Sequence, residues 1–125
     1  MSAHDPVATF EQACDAGKLA YQQCAHCERV QAYPRTHCAH CHRAALRWKT
    51  SAGRGTLVSH TTVHRAASPA FQHRAPYVLA LVDVDEGFRL MMNIEPVRPL
   101  AIGEVVEIGF ANDAEGRARL RGSVR

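Results

Sequence analysis

Two pairs of cysteines are the residues of this 125-residue chain whose types and spacing point most directly to chemistry. Cys24 and Cys27 are separated by two residues, and Cys38 and Cys41 repeat that spacing. Two thiolates at this spacing can bind one metal ion from a single turn, and two such turns supply the four sulfurs of a tetrahedral Zn²⁺ site. Because four protein ligands leave no position for water or substrate, the pattern predicts a structural zinc rather than a catalytic one.

Two other uses of four cysteines compete with zinc. A disulfide framework would suit a small secreted domain, but the segment Met1–Pro6 lacks the basic start and apolar core of a signal peptide. No apolar run approaches the length that spans a bilayer, so we expect a reduced, cytoplasmic protein without a membrane segment. Iron also accepts four sulfur ligands in a tetrahedron, and it stays open as the alternative metal.

The remaining cysteine and the histidines are predicted to lie outside the metal shell. Cys14 follows Phe10 by four residues on one face of a predicted helix, which favours a buried apolar role over a nucleophilic one. His60 and His64 share one face of a predicted strand, but their Cα atoms would lie about 13 Å apart, too far to share a metal without other ligands. Four more histidines crowd the cysteine loops, where the sulfurs already complete the shell. They are His26, His37, His40 and His42.

Basic residues concentrate around the cysteine pairs. Between residues 24 and 54 there are six Lys or Arg and a single acid, Glu28. The formal charge of +3 falls to about +1 when four thiolates bind a divalent metal, and this balance does not demand a nucleic-acid partner. Part of the cluster is interpreted as support for a negatively charged metal site. Its members are Arg29, Arg35, Arg43, Arg47, Lys49 and Arg54.

A short helix and two strands are the elements that would position the cysteines. Asp5 is a good N-cap, Pro6 suits the first helical position, and Gly17 supplies a stop. Strands are predicted over residues 19–23 and 30–34, so that each cysteine pair forms a turn of a hairpin. The first half of the chain is therefore predicted to be a helix followed by a rubredoxin-like zinc ribbon.

A break in the pattern at residues 51–55 predicts a domain boundary. The helix and zinc ribbon would occupy residues 1–52 and a second domain residues 53–125, where the periodicity changes to that of strands. Five strands in about 70 residues, with no helix of ordinary length between them, predict a closed barrel of the OB-fold type and a mainly β fold class. The predicted strands are 56–65, 77–85, 88–94, 104–110 and 118–124.

Seven short motifs occur in a fixed order along nearly the whole chain. They are Gly17-Lys-Leu19, Gln23-Cys24-Ala-His-Cys27, Tyr33-Pro-Arg35 before Cys38-Ala-His-Cys41, Gly53-Arg-Gly-Thr56, Val63-His64, Pro76-Tyr77 and Asp85-Glu-Gly87. In this order they resemble the zinc-ribbon plus OB-fold proteins that are accessory subunits or fused domains of acyl-CoA enzymes. One departure is that Ala39 and His42 stand where the family often has Pro or Gly, which affects loop stiffness more than ligation.

This resemblance implies a subunit that is not catalytic alone. It would bind a thiolase-like, retro-aldolase-like or hydratase-like partner and help to form that partner's acyl-CoA site. CoA carries phosphates and an apolar arm, so a receiving surface needs cations with apolar neighbours. The connector 66–76 is longer than a typical hairpin turn, and either a solvated loop or a contact surface fits it. The candidate acyl-CoA or partner contacts are Arg54, His64, Arg65, Phe71, His73, Arg74 and Tyr77.

The alternative function is nucleic-acid binding, which zinc ribbons and OB barrels also serve. Against it, the second and third barrel strands are predicted to carry Asp83, Asp85 and Glu86, with a single Arg89 and one plain aromatic residue, Phe88. An independent hydrolase or oxidoreductase is disfavoured, because the chain offers no open metal position, no Gly-rich nucleotide loop and no specific Ser/His/Asp set. Four C-terminal arginines keep the nucleic-acid alternative open: Arg117, Arg119, Arg121 and Arg125.

Overall fold

The computed structural model describes residues 5–64, 76–95, 98–112 and 116–124, which form a helix, a three-stranded sheet and a closed five-stranded barrel. The mainly β class, with an N-terminal helix, a four-cysteine cluster and an OB-like barrel, is confirmed. In the described ranges, the helix falls well short of the length and apolarity needed to cross a membrane. The elements are α1 Pro6–Asp15, β1 Ala20–Cys24, β2 Val30–Gln31, β3 Leu46–Thr50, β4 Arg54–Val63, β5 Tyr77–Val84, β6 Phe88–Glu95, β7 Val105–Asn112 and β8 Ala118–Ser123.

Helix α1 begins and ends where its capping residues predict. The Asp5 carboxylate accepts hydrogen bonds from the amide N–H groups of Val7 (3.1 Å) and Ala8 (3.2 Å), two donors that lack a partner within the helix. After the helix, Gly17 adopts a φ of 75°, a left-handed conformation that glycine reaches without strain. Cys14 is buried, with 6% of its surface exposed, in agreement with its predicted apolar role.

The ribbon sheet has the strand order β2-β1-β3, and both pairings are antiparallel. Two of the expectations for this region need correction. The predicted strand over 30–34 stops at Gln31, because the chain turns away before Pro34, which has no amide hydrogen to donate to a ladder. Strand β3 was not predicted at all, since four of its five residues are exposed and its basic residues were interpreted only as part of a charged cluster.

The barrel closes in the order β4-β5-β6-β8-β7, and its five strands agree with the predicted number. Neighbouring strands run antiparallel except β6 and β8, which run parallel. The inner positions of β5 are fully buried, whereas Asp83 on the outer face is exposed. A shift in register between Leu57 and Ser59 marks a bulge, and bulges let one strand of a small barrel bend sharply enough to pair with two neighbours.

Among the described residues, one buried hydrophobic cluster connects the ribbon to the barrel. Leu19 and Tyr21 from the ribbon belong to the same buried cluster as the inner residues of β5 and β6. The rings of Tyr21 and Phe88 stack with centroids 4.9 Å apart and an interplanar angle of 27°. Offset stacking of this kind adds to the free energy gained from burying two large apolar side chains.

A partly buried carboxylate reinforces the junction between the two parts. Glu86, in the turn between β5 and β6, accepts a hydrogen bond from the Ser51 hydroxyl (2.6 Å) and another from the Ala52 amide (2.8 Å). The segment where the domain boundary was placed is therefore held against the barrel by polar contacts. The division into residues 1–52 and 53–125 stays a prediction about domain organisation.

Candidate metal centre

The two cysteine turns have the same local geometry. In the first, the Sγ atom of Cys24 accepts hydrogen bonds from the amides of His26 (3.4 Å) and Cys27 (3.5 Å). In the second, the Sγ atom of Cys38 accepts equivalent bonds of the same lengths from the residues two and three positions later. Each turn also closes with a bond of 2.9 Å from the amide of its fifth residue to the carbonyl of its first. The repeated sequence spacing thus produces two turns in which backbone amides surround the first sulfur. We call these turns, residues 24–28 and 38–42, the sulfur cradles.

Residues at the end of each turn adopt unusual backbone angles. Glu28 and His42, which directly follow the second cysteine of each pair, have φ values of 66° and 65°. This left-handed region favours glycine, because a side chain there crowds the following carbonyl. The departure noted in the sequence at His42 therefore falls on a position where the backbone would favour glycine.

Two buried glutamines hold the second turn in place, and the sequence analysis did not identify them. The side-chain amide of Gln22 donates to the Arg35 carbonyl (2.8 Å), and its oxygen accepts from the Arg35 amide (2.9 Å). Gln31 donates to the Gln22 oxygen (2.9 Å) and accepts from the amide of Ala39, inside the second turn (2.9 Å). The two side chains face each other from β1 and β2 and replace the hairpin that was predicted to support this turn.

The four sulfurs lie close enough together to share one ion. All four Sγ atoms fall within 4.8 Å of one another, and the Cys24–Cys41 and Cys27–Cys38 sulfur pairs are each 3.6 Å apart. A tetrahedron with Zn–S bonds of about 2.3 Å places its sulfurs about 3.8 Å apart, so the donor set fits such an ion. Across the described ranges, this is the only group of three or more His, Cys, Asp or Glu side chains that meets the same distance criterion.

The cysteines differ in how their surroundings shift the thiol pKa. Amide hydrogen bonds, led by that from Cys27, lower the pKa of Cys24, and a matching bond from Cys41 lowers that of Cys38 to about 6. An amide N–H also points at Cys41 and lowers its pKa, but burial and the neighbouring sulfurs outweigh it and raise the pKa to about 11. The pKa of Cys27 is raised by the same balance. Backbone amides thus favour the thiolate form at the first cysteine of each pair.

Two of the four histidines near the cluster have other hydrogen-bonding neighbours. The Nδ1 atom of His40 lies 3.2 Å from the guanidinium of Arg29, and that of His37 lies 3.0 Å from the hydroxyl of Thr36. The group of atoms that could share an ion consists of the four cysteine sulfurs.

The predicted acyl-CoA or partner contacts are not brought together as one compact group. Arg54 begins β4, and His64 follows the end of this ten-residue strand, so their Cα atoms are separated by about 30 Å of extended chain. Tyr77 pairs with Val63, so it lies at the same end of β4 as His64, one residue away in the register. The other four candidates lie outside the described residues: Arg65, Phe71, His73 and Arg74.

Both parts of the chain match models of known protein families. The profile of the rubredoxin-like zinc ribbon domain of ChsH2 matches residues 12–47, and that of the ChsH2 C-terminal OB-fold domain matches residues 48–111. This chain belongs to the ChsH2 family. The two ChsH2 profiles meet a few residues before the predicted domain boundary.

Two curated proteins are similar to this ChsH2-family chain. A probable enoyl-CoA hydratase alpha subunit from Thermomonospora curvata is 35% identical over 101 residues, which are 79% of this chain and 29% of that protein. A DUF35 domain-containing scaffold protein from Methanocaldococcus jannaschii is 31% identical over 91 residues, which are 70% of this chain and 64% of that protein. The chain thus spans less than a third of the first relative and somewhat under two thirds of the second.

Solved structures show the same architecture. A chain of the Ltp2-ChsH2(DUF35) aldolase superposes with a TM-score of 0.83 at 27% identity, covering 99% of this chain and 98% of that chain. A DUF35 family protein from Sulfolobus solfataricus superposes with a TM-score of 0.69 at 17% identity, covering 97% and 86%, which shows the shared fold. The ChsH2-type arrangement of helix, ribbon and barrel therefore extends over essentially the whole chain.

Proposed function

We propose that this ChsH2-family chain is a non-catalytic accessory subunit that binds a catalytic acyl-CoA enzyme. The observation that carries the proposal is the superposition, along almost the entire length of both chains, on a chain of the Ltp2-ChsH2(DUF35) aldolase. The relatives named enoyl-CoA hydratase alpha subunit and scaffold protein support the same role. The partner would be a thiolase-like, retro-aldolase-like or hydratase-like subunit, and this chain would help to form its acyl-CoA site.

A structural Zn²⁺ held by Cys24, Cys27, Cys38 and Cys41 belongs to this proposal. Four sulfurs at the spacing of a tetrahedron would complete the coordination shell and leave no position for substrate. When bound, the ion would supply cross-linking between two loops that otherwise lack a hydrophobic core of their own. Iron remains the alternative occupant, because tetrahedral sulfur ligation suits both metals.

The acyl-CoA contact is proposed at the end of β4, where His64 lies one residue beyond the Val63–Tyr77 pair. An imidazole and a phenol at the same end of one strand pair offer polar and aromatic groups of the kind that a ligand with a phosphate and an apolar arm requires. Arg54 lies at the opposite end of the strand, so it would serve a separate contact. We include with the His64 end the candidates of the connector, namely Arg65, Phe71, His73 and Arg74.

The test is to purify the tagged full-length chain from cells that produce it naturally and to identify the bound subunit by mass spectrometry. We expect an acyl-CoA enzyme of one of the three classes, and we expect the complex to bind acyl-CoA more tightly than either subunit in calorimetry. Turnover of acyl-CoA by the chain alone, or purification without any such subunit, would contradict the proposal.

A pair of variants tests the connector within that complex. Arg65→Glu with Arg74→Glu should weaken co-purification with the catalytic subunit, since it reverses two charges at the proposed contact. Lys18→Glu with Arg35→Glu makes the same change in charge at two exposed positions of the helix-to-ribbon half and should leave the complex intact. Equal recovery of the catalytic subunit with both pairs would remove the connector from the contact.

Nucleic-acid binding receives less support from the barrel. The outer face of β5 and β6 carries the apolar side chains of Leu79, Leu81 and Met91, where a nucleic-acid-binding OB barrel presents stacking aromatics. Arg89, a cation on that face, is bound by Asp83 at 2.6 Å. This surface offers bases few stacking partners and phosphates little unpaired positive charge.

A further inference from the structure

The strand that the sequence did not predict, β3, forms an edge of the ribbon sheet. It pairs with β1 at five positions, from Ala20 with Thr50 to Cys24 with Leu46. On its other side, no strand pairs with β3 in the ranges that the structure describes. An edge of this kind presents unpaired backbone donors and acceptors that another strand can use.

The backbone groups that face outward can be assigned to particular residues. The hydrogen bonds from the Ser51 amide to the Leu19 carbonyl and from the Ala25 amide to the Ala45 carbonyl flank the β1–β3 pairing. In an antiparallel ladder, hydrogen-bonded and non-bonded residues alternate, so Arg47 and Lys49 direct their amides toward β1. The amides and carbonyls of Leu46, Trp48 and Thr50 therefore face the open edge.

The charges on β3 favour one class of incoming strand. Arg47 and Lys49 are exposed on the same face, and neither has an ion-pair partner among the described residues. From residue 16 to residue 82 the chain has one acid, Glu28, whereas most of its acids lie on the barrel or the helix. Opposite charges directly across neighbouring strands stabilise their pairing, so a strand with acids at alternate positions is complementary to this edge.

Trp48 lies between Arg47 and Lys49 in the sequence. Because side chains alternate along a strand, it provides an apolar contact on the opposite face of β3. Its side chain is 36% exposed, although tryptophan gains a large free energy from burial. Charged residues alone would be consistent with an edge protected against association. A partly exposed tryptophan between them is instead typical of an anchor at a binding surface.

We propose that the outer edge of β3 is a docking site for an extended, acid-rich segment of a partner protein, which adds to the ribbon sheet as a fourth strand. Main-chain hydrogen bonds to Trp48 and Thr50 would supply affinity, and acids opposite Arg47 and Lys49 would supply selectivity. The inference rests on the proposed function only for the identity of the partner, which would be the catalytic subunit.

The first experiment uses the zinc-loaded full chain and a ten-residue peptide of alternating glutamate and valine as the probe. Hydrogen exchange followed by NMR should show that the amides of Trp48 and Thr50 become protected by at least about tenfold at saturating peptide. The amides of Arg47 and Lys49, already bonded to β1, should change little. No added protection at Trp48 and Thr50, or equal protection by a lysine-valine peptide, would overturn the proposal.

A proline variant separates the edge from the rest of the sheet. Trp48→Pro removes an amide that faces outward, so it should abolish peptide protection at Thr50 while the β1–β3 pairing is kept. Trp48→Ala keeps the amide and loses only the anchor, so it should weaken binding without abolishing it. Retained protection at Thr50 in the proline variant would exclude pairing at this edge.

Charge variants test the selectivity. Arg47→Glu with Lys49→Glu should reduce peptide affinity by at least about tenfold, and Lys18→Glu with Arg35→Glu, the matched control, should reduce it much less. Equal losses in the two pairs would mean that only the general charge of the ribbon matters, which contradicts docking at the edge.

The complex with the catalytic subunit distinguishes this inference from the proposed function. If the subunit co-purifies but Trp48 and Thr50 gain no protection in the complex, the docking site is wrong and the proposed function stands. If the acidic peptide protects these amides but no catalytic subunit is recovered, the edge site stands and the proposed function fails. Protection by oligothymidine, or by raised protein concentration alone, in preference to the acidic peptide would assign the edge to another occupant and overturn the proposal.

Discussion

At the scale of single residues, the metal centre depends on the backbone as much as on the cysteines. Each cradle directs two amide hydrogens at the first sulfur of its pair, and this lowers the pKa of Cys24 and Cys38 without a basic side chain. Glu28 and His42 close the cradles in left-handed conformations that cost about 1–2 kcal/mol for residues other than glycine. A bound ion that fixes both cradles would offset that cost.

Removal of a ligand tests the structural role of the metal. We expect one zinc per chain by elemental analysis of the purified protein, loss of that zinc in Cys38→Ser, and a markedly lower melting temperature after chelation, because binding free energy is folding free energy at such sites. Cys14→Ala should retain the full metal content, since Cys14 lies outside the cluster. An unchanged melting temperature without metal would refute the structural role, and iron in place of zinc would change the assigned ion.

A glycine on the last strand tests how tightly the barrel is filled. A Cβ atom at Gly122 would overlap the Ile94 side chain and lie 2.8 Å from Val106 and 3.1 Å from Met92. Gly122→Ala should therefore reduce the free energy of unfolding by about 1–3 kcal/mol, as overpacked cores do. Gly109→Ala on the neighbouring β7 is the control, because its Cβ atom would meet only a carbonyl oxygen 4.0 Å away. Denaturant unfolding of both variants measures the difference; equal stabilities would show that the barrel repacks freely.

At the scale of elements, the sequence predicted those with a strong local pattern. The capping residues located α1, and the spacing of the cysteines located the two turns. β-Branched or apolar segments between turn residues located the five barrel strands. Strand β3 could not be predicted from the sequence because it is exposed on both faces, so neither face produces an apolar pattern. The roles of Gln22 and Gln31 could not be predicted either. They support the second cysteine turn because they are buried beside each other on paired strands, and a pairing register is not visible in a single sequence.

The contact between the β5–β6 turn and the ribbon should make stability depend on pH. Partial burial raises the pKa of Glu86, but hydrogen bonds from Ser51 and Ala52 outweigh it, so the net shift is downward. A carboxyl with a lowered folded-state pKa stabilises the fold above its unfolded pKa, and this contribution is lost as the pH falls through the folded value.

The corresponding variant is Glu86→Gln. It should be less stable than the parent chain at neutral pH, and the difference should shrink as the pH falls below the ordinary glutamate pKa of about 4.3. Glu11→Gln on the exposed face of α1 removes one carboxylate with little change in stability. Urea unfolding at several pH values gives the comparison; a difference that does not vary with pH would show that the charge of Glu86 is unimportant.

At the scale of the whole molecule, charge is divided between the ribbon and the barrel. The ribbon is basic, whereas acids such as Asp83, Glu95 and Glu104 lie on the barrel, and each of these three is bound by an arginine. This division gives the chain a basic end while its overall formal charge stays at +3, or about +1 when four thiolates bind a divalent metal.

That division of charge predicts the affinity of the chain for nucleic acids and the dependence of this affinity on salt. Binding to single strands should be weak and should fall steeply with salt, because it would come from the ribbon charges without stacking on the barrel. Fluorescence anisotropy with oligothymidine at low and physiological salt measures both properties. Nanomolar affinity at physiological salt would favour the nucleic-acid function over the accessory subunit.

The shared core formed by Leu19, Tyr21 and Phe88 has an evolutionary consequence. Two modules that complete each other's interior cannot be exchanged separately without leaving apolar surface exposed on both. The unit available for duplication, fusion to a larger polypeptide or recruitment by a new enzyme is therefore the ribbon and barrel together. A relative in which the matching region makes up 29% of the length fits inheritance of the pair as one piece.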